Sequence, residues 1–291
     1  MTFCRLSQQS FRRVDYLVLY SLLFGFWACL GVRAQVSMKV VFEDDFTGSA
    51  NSAPDIKKWT AETGGGGWGN KELEYYTSST ENAYLDGAGS LVIKAVKSHP
   101  SASLACWYGP CQYTSARLKT KDKFDLKYGR FESRIKIPRG SGVWPAFWLL
   151  GNDIETVGWP RCGEIDIMEN IGREPATVHG TIHGPGYSGA KGIGAPYGLQ
   201  GNKSFADDFH IFAVEWSEYE IRWYVDGEKY QTINPKDLPA GSKWVYDHPF
   251  FVILNFAVGG EWPGSPDKTT VFPQTMLVDY VRVYQLQSGS K

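Results

Sequence analysis

The ten residues GEIDIMENIG, 163–172, carry three acids: Glu164, Asp166 and Glu169. Side chains two apart on a β-strand point to the same face. Glu164 and Asp166 obey that parity, with Ile165 and Ile167 opposite, whereas Glu169 falls one residue out of step. One extra residue in the strand, a β-bulge, returns Glu169 to the face of the other two. At ~3.3 Å per residue, the outer Cα atoms then lie ~13 Å apart. Glutamates leaning inward bring their carboxyls to about 5–6 Å, near the separation at which one carboxyl attacks an anomeric carbon and the other handles the proton. Asp166, between them, can hydrogen-bond one and raise the proton affinity of another. The plain alternative is the solvated face of an amphipathic strand. Three acids sharing one face repel one another, which argues against it.

The surroundings favour carbohydrate. Trp144, Trp148 and Trp159 all precede the acids within 20 residues. Aromatic faces stack on the C–H faces of sugar rings, and the indole edge donates a hydrogen bond. A single tryptophan is more often core than platform; a group beside acids and glycine-rich loops points to a sugar surface.

Such a surface needs a sheet to hold it. Residues 38–287 read as short β-like segments separated by Gly, Pro, Asn and Asp, among them SLVIKAVK, YGRFESRIKIP, ATVHGTIHG, FHIFAVEW and FFVILNFAVGG. EWSEYEIRWYVDGEKY reads as consecutive hairpins, with Asp226-Gly227 a strong two-residue turn. No segment keeps a helical period for three turns, and no internal repeat is present. The fold class is therefore all-β, a single antiparallel β-sandwich or jelly roll. TGGGGWGN and GPGYSGAKGIGAPYGLQG are long glycine-rich loops of the kind that often carry function.

With 291 residues, 43% hydrophobic and 15% aromatic, the chain can bury a large core, and 32 Gly with 11 Trp suit a glycine-turned β protein. A net charge of −1 gives no reason to expect nucleic acid or an anionic membrane as partner. Residues 1–34 read as a signal peptide: Arg5, Arg12 and Arg13 precede the apolar run 16–32, and Ala34 offers a cleavage point. A retained anchor is the alternative. Residues 35–291 then form the single mature domain, secreted to the extracellular space or periplasm. Cys106 and Cys111, around the Gly-Pro of CWYGPC, suit a disulfide in an oxidising compartment, with two unpaired thiols as the alternative. Cys162 reads as a packing residue. No zinc-ligand spacing occurs.

GEIDIMENIG resembles the signature of glycoside hydrolase family sixteen, particularly its laminarinase-like endo-β-1,3-glucanases. The likeness continues, in family order, through WGNKELEYYT (68–77), YTSARLKTK (113–121), YGRFESRIKIPRGSGVWPAFWLLG (128–151), HGPGYSG (183–189), FHIFAVEW (209–216) and NFAVGGEWPG (255–264). The leader and the Cys106–Cys111 loop lie outside these blocks.

The resemblance implies a jelly roll with a substrate cleft across its concave face, Glu164 as nucleophile, Glu169 as general acid/base and Asp166 as their electrostatic helper. The extra residue in EIDIME resembles the β-1,3-glucanase branch. Trp144, Trp148, Trp159 and Trp262 resemble sugar platforms, His183 a histidine beside the leaving group, and Asn70 and Glu72 groups that bind sugar hydroxyls. Arg134 and Asn255 are expected as donors that orient the carboxylates. Many relatives hold a structural calcium, whose matching positions are Asp45, Gly89 and Asp279; catalysis itself calls for no cofactor. The expected partner is a β-glucan polysaccharide, with no membrane partner after leader cleavage, and the expected state is a monomer. Mixed-linkage β-1,3-1,4-glucan hydrolysis, transglycosylation and non-catalytic β-glucan recognition are the alternatives.

Overall fold

The computed structural model describes residues 38–98, 103–201 and 203–286, so the expected leader at 1–34 lies outside the described residues. Two sheets face each other. The first holds seven strands in the order Ile193–Gly198, Thr177–His183, Glu164–Glu169, Val143–Gly151, Phe250–Val258, Arg117–Lys119 and Thr60–Glu62. The second runs Glu228–Ile233, Ile221–Val225, His210–Trp216, Gly129–Lys136, Gln274–Leu286, Leu91–Lys97, Tyr113–Ser115 and Glu74–Tyr76. Met38–Asp44 joins its Gln274–Leu286 strand, and Ala83–Leu85 its Leu91–Lys97 strand. Pairing is antiparallel in both sheets except between Glu74–Tyr76 and Tyr113–Ser115. The only α-helix among the described residues is Ile154–Val157, and no helix there is long and apolar enough to cross a membrane.

The strands follow from their side-chain order. Gly129–Lys136 alternates buried and half-buried, so Phe131, Ser133 and Ile135 turn inward while Arg130, Glu132 and Arg134 turn out. Phe250–Val258 is buried at all nine positions, because both its faces are covered. Phe250, Val252, Leu254 and Phe256 join the core between the sheets, and Phe251 and Ile253 join a small second cluster with Leu150 and Cys162. Each large apolar side chain so buried contributes about 1.5–3 kcal/mol, which is how the chain holds the two sheets together. The expected hairpin turn is present at Asp226 and Gly227, both with positive φ, between Ile221–Val225 and Glu228–Ile233.

One contact ties the two sheets directly beneath the acids. Trp223, fully buried on the second sheet, donates its indole N–H to the backbone oxygen of Asp166 at 2.7 Å. Gly180 makes this possible, since a Cβ there would overlap both Trp223 and the Tyr230 hydroxyl.

Candidate active site

The bulge sits at Ile167. Asp166 pairs with Trp148 and Met168 with Phe147, so two residues advance on the acid strand for one on its neighbour. On the other side the register steps from Asp166–Thr181 to Glu169–His179. Glu164, Asp166 and Glu169 therefore share the face turned away from the core, while Ile165 and Met168 are fully buried in it. Cross-strand pairing lays this face out in three rows: Leu150–Glu164–His183, then Ile253–Trp148–Asp166–Thr181, then Arg117–Asn255–Ala146–Glu169–His179.

Each outer acid has its own indole. Trp159 Nε1 donates to Glu164 Oε2 at 3.0 Å, and Trp144 Nε1 donates to Glu169 Oε1 at 3.0 Å. His183 Nε2 lies 3.1 Å from Asp166 Oδ2 and 3.7 Å from Glu164 Oε1. Glu164, Asp166 and His183 are the only group of side chains among the described residues with metal-ligand spacing, and two of them are the expected catalytic acids.

All three carboxyls hold protons more tightly than usual. Burial, then the charge of Asp166, pushes Glu164 up to about 8, opposed by His183, the Trp159 N–H and Arg117. Burial pushes Asp166 up to about 8. Glu169 is driven well above the usual range by burial, then by Asp166 and Glu164. Crowding three carboxyls under one low-dielectric surface leaves a proton among them at neutral pH, as acid catalysis requires.

Around the acids stands an aromatic frame. Trp262 meets Trp144 edge to face at 5.5 Å and His179 at 5.1 Å. Trp159 is 48% exposed, with its ring 6.2 Å from that of His183. Trp148 donates its N–H to Asn255 Oδ1 at 2.7 Å, and Asn255 Nδ2 donates to the Tyr76 hydroxyl at 3.1 Å. That hydroxyl donates in turn to Glu72 Oε2 at 3.0 Å, while Asn70 Nδ2 donates to Glu72 Oε1 at 3.0 Å.

Three expectations need correction. Glu72 is buried, and both its oxygens are taken by Asn70 and Tyr76, so it anchors a network rather than meeting sugar hydroxyls. Asn70, which gives that anchor an amide hydrogen, is itself exposed and keeps its expected place. Asn255 does not orient the carboxylates: it lies two strands from Glu169 and binds Trp148 and Tyr76 instead. Arg134 belongs to the other sheet, where strand alternation turns it outward onto Phe209 at 4.5 Å and into a 2.8 Å ion pair with Asp279.

The calcium positions come together only in part. Asp44 pairs with Val281 and Leu91 with Val278, which brings Asp45 and Gly89 toward Asp279. Yet Asp279 is held by Arg134 and Asp45 by Arg282, each at 2.8 Å. Two carboxylates already neutralised by guanidinium groups do not fit a calcium ion as they stand.

The cysteine expectations agree with the structure. Cys106 and Cys111 form a disulfide, and Cys162 is buried, with burial pushing its thiol up to about 12.

Several site residues escaped sequence reasoning. The Arg117 guanidinium lies 4.8 Å from the ring centre of Trp148 and 4.8 Å from that of Trp68, steered by Glu62 at 2.5 Å. Alternation in ARLK, with Leu118 inward, was the signal that could have placed it on the acid face. His179 is four residues before His183 on one strand, hence on the same face; it lies 3.2 Å from Glu174. Glu74 is fully buried, accepts the Val258 N–H at 2.7 Å, and is driven well above the usual range by burial and by Glu72. Nothing in the sequence marks that acid as internal.

A two-sheet sandwich bearing paired glutamates among tryptophans on one open face defines a polysaccharide-hydrolase architecture. Residues 70–282 match the family model described as "Glycosyl hydrolases family 16", and the chain belongs to that family. It is 42% identical over 256 residues to the "Beta-glucanase" of Rhodothermus marinus, covering 85% of each chain. It is 40% identical over 273 residues to the "Glucan endo-1,3-beta-glucosidase A1" of Niallia circulans, covering 87% of this chain and 39% of that relative. The crystal structure of the laminarinase catalytic domain of Thermotoga maritima MSB8 is similar at a TM-score of 0.80 and 50% identity, over 86% of this chain and 99% of that one.

Proposed function

We propose that this chain is a retaining endo-β-1,3-glucanase, a laminarinase-like enzyme that cleaves β-glucan by double displacement. The observation that carries the reading is the bulge at Ile167, which sets Glu164 and Glu169 on one face with Asp166 between them. Glu169, whose burial beside Asp166 and Glu164 keeps its proton well above the usual carboxylate range, protonates the departing glycosidic oxygen while Glu164 attacks the anomeric carbon. The Trp159 N–H and His183 favour the ionised form of Glu164, as a nucleophile needs. Glu169, now a base, activates water to release the glycosyl-enzyme. Asp166, almost fully buried beside His183, stands between the two glutamates and within reach of both steps.

The basic-then-apolar residues 1–34 support secretion. A calcium at Asp45, Gly89 and Asp279 would be structural, entering only by displacing two arginines.

Product analysis on laminarin, lichenan, xyloglucan and agarose tests the substrate. Laminarin should give the fastest release of reducing ends, and activity on agarose without activity on laminarin overturns the assignment. Proton NMR during the first minutes should show the new reducing end as the β-anomer; initial α-anomer refutes double displacement.

A further inference from the structure

The planar groups beside the acids continue beyond the acid strand. Arg117 bridges Trp148 and Trp68, and Trp68 rests on a run of four glycines, donating its N–H to the oxygen of Gly64 at 3.2 Å. The same run carries another indole. A Cβ on Gly67 would meet Trp107 Cδ1 at 2.8 Å and Nε1 at 3.0 Å, and one on Gly65 would strike the sulfur of Cys106. Glycine is needed here because Trp68 and the Cys106–Cys111 hairpin both crowd one stretch of backbone.

Trp107 is 49% exposed, yet it is tightly held. Its indole N–H donates to Glu72 O at 2.7 Å, its backbone N–H to Gly65 O at 2.8 Å, and the neighbouring Tyr108 hydroxyl to Leu73 O at 2.6 Å. The disulfide closes the hairpin over five residues. With its one polar atom already satisfied, the indole offers solvent only π surface, at a fixed orientation. Such a surface binds by stacking and loses little freedom in doing so.

We propose that Trp107 forms a distal sugar-stacking subsite, taking a pyranose ring of the same β-glucan chain several units from the bond that is cut. The inference rests on the glucanase reading above. It makes the hairpin a determinant of chain-length preference, with Trp148, Arg117 and Trp68 as the path between that subsite and the acids.

Steady-state kinetics on laminari-oligosaccharides of increasing length, from the trisaccharide to laminarin, provide the test. Trp107→Ala should lose about three- to tenfold in kcat/KM on long chains, through KM rather than kcat, and much less on the trisaccharide. Trp107→Phe should recover most of that loss, and the double variant Cys106→Ser/Cys111→Ser should lose in the same length-dependent way. A loss equal at every length together with a lower Tm, or no loss at any length, overturns the subsite and leaves the glucanase reading intact. Wild-type protein that cleaves none of these oligosaccharides overturns the glucanase reading, and the subsite with it.

Discussion

Glu164 and Glu169, on one strand, each accept an indole N–H at 3.0 Å, but from tryptophans on different elements. Trp144 is a strand residue wedged against Trp262, whereas Trp159 stands half in solvent beside His183. Two chemically identical acids thus acquire different surroundings, the kind of asymmetry on which the proposed division into nucleophile and acid/base rests.

The separation can be read with azide and an activated glycoside. Glu164→Ala and Glu169→Ala should each lose most activity, because each removes a group used in bond breaking. Azide standing in for the nucleophile in Glu164→Ala should yield the α-glycosyl azide. In Glu169→Ala, azide should intercept the glycosyl-enzyme and yield the β-product. Swapped anomers reverse the two roles.

The crowded carboxyls lower stability at alkaline pH. Folding raises Glu164 from 4.5 to about 8 and Asp166 from 3.8 to about 8, so the folded chain keeps protons that the unfolded chain releases in that window. Stability therefore falls as pH rises from the ordinary carboxylate range through about 8. Glu164→Gln and Asp166→Asn remove the charge. Each should melt near wild type at pH ~4 and higher than wild type at pH ~9, by about 2–4 °C for every kcal/mol relieved. A gap that widens toward acid instead contradicts the electrostatic account.

Tyr76 tests the network behind Trp148. Its buried hydroxyl accepts from Asn255 and donates to Glu72, so Tyr76→Phe strands one donor and one acceptor in the interior. The cost is about 1–3 kcal/mol for each unpaired group. The variant should show a lower Tm, and, with Trp148 no longer braced through Asn255, a raised KM on oligosaccharide. Unchanged KM in the folded variant would separate the network from substrate binding.

Melting with EDTA and with added calcium examines the Asp45–Gly89–Asp279 region. Because Arg134 and Arg282 already occupy the two carboxylates, wild-type Tm should be nearly indifferent to both additions. Arg134→Ala/Arg282→Ala frees the pair and should make the melt respond to calcium. A wild type that is strongly stabilised by calcium shows that the ion displaces the arginines.

Patterns confined to one strand or one turn were readable from residue order. The parity break at Glu169 implied a bulge, and the register shift lies at Ile167; Asp226-Gly227 implied a hairpin, and CWYGPC a disulfide. Alternation and turn chemistry are local, so the linear chain carries them whole.

Relations between strands distant in sequence were decided only when the sheets formed. Which sheet an arginine joins depends on strand order, so Arg134 went to the far sheet and Arg117 took a place beside the tryptophans near the acids. Glu72 was expected to meet sugar hydroxyls and nothing in the sequence marked Glu74, yet Asn70, Tyr76 and the Val258 N–H supply partners for both acids inside. The three carboxyls likewise acquired their high proton affinity from burial, and the two glutamates also from neighbouring acid charge, neither of which exists in the extended chain. Residue order by itself determined which groups are available for catalysis and which face of their strand they share. Their electrostatics and their partners came from tertiary structure, because solvent exclusion and contacts between remote strands arise only when the two sheets close on one core.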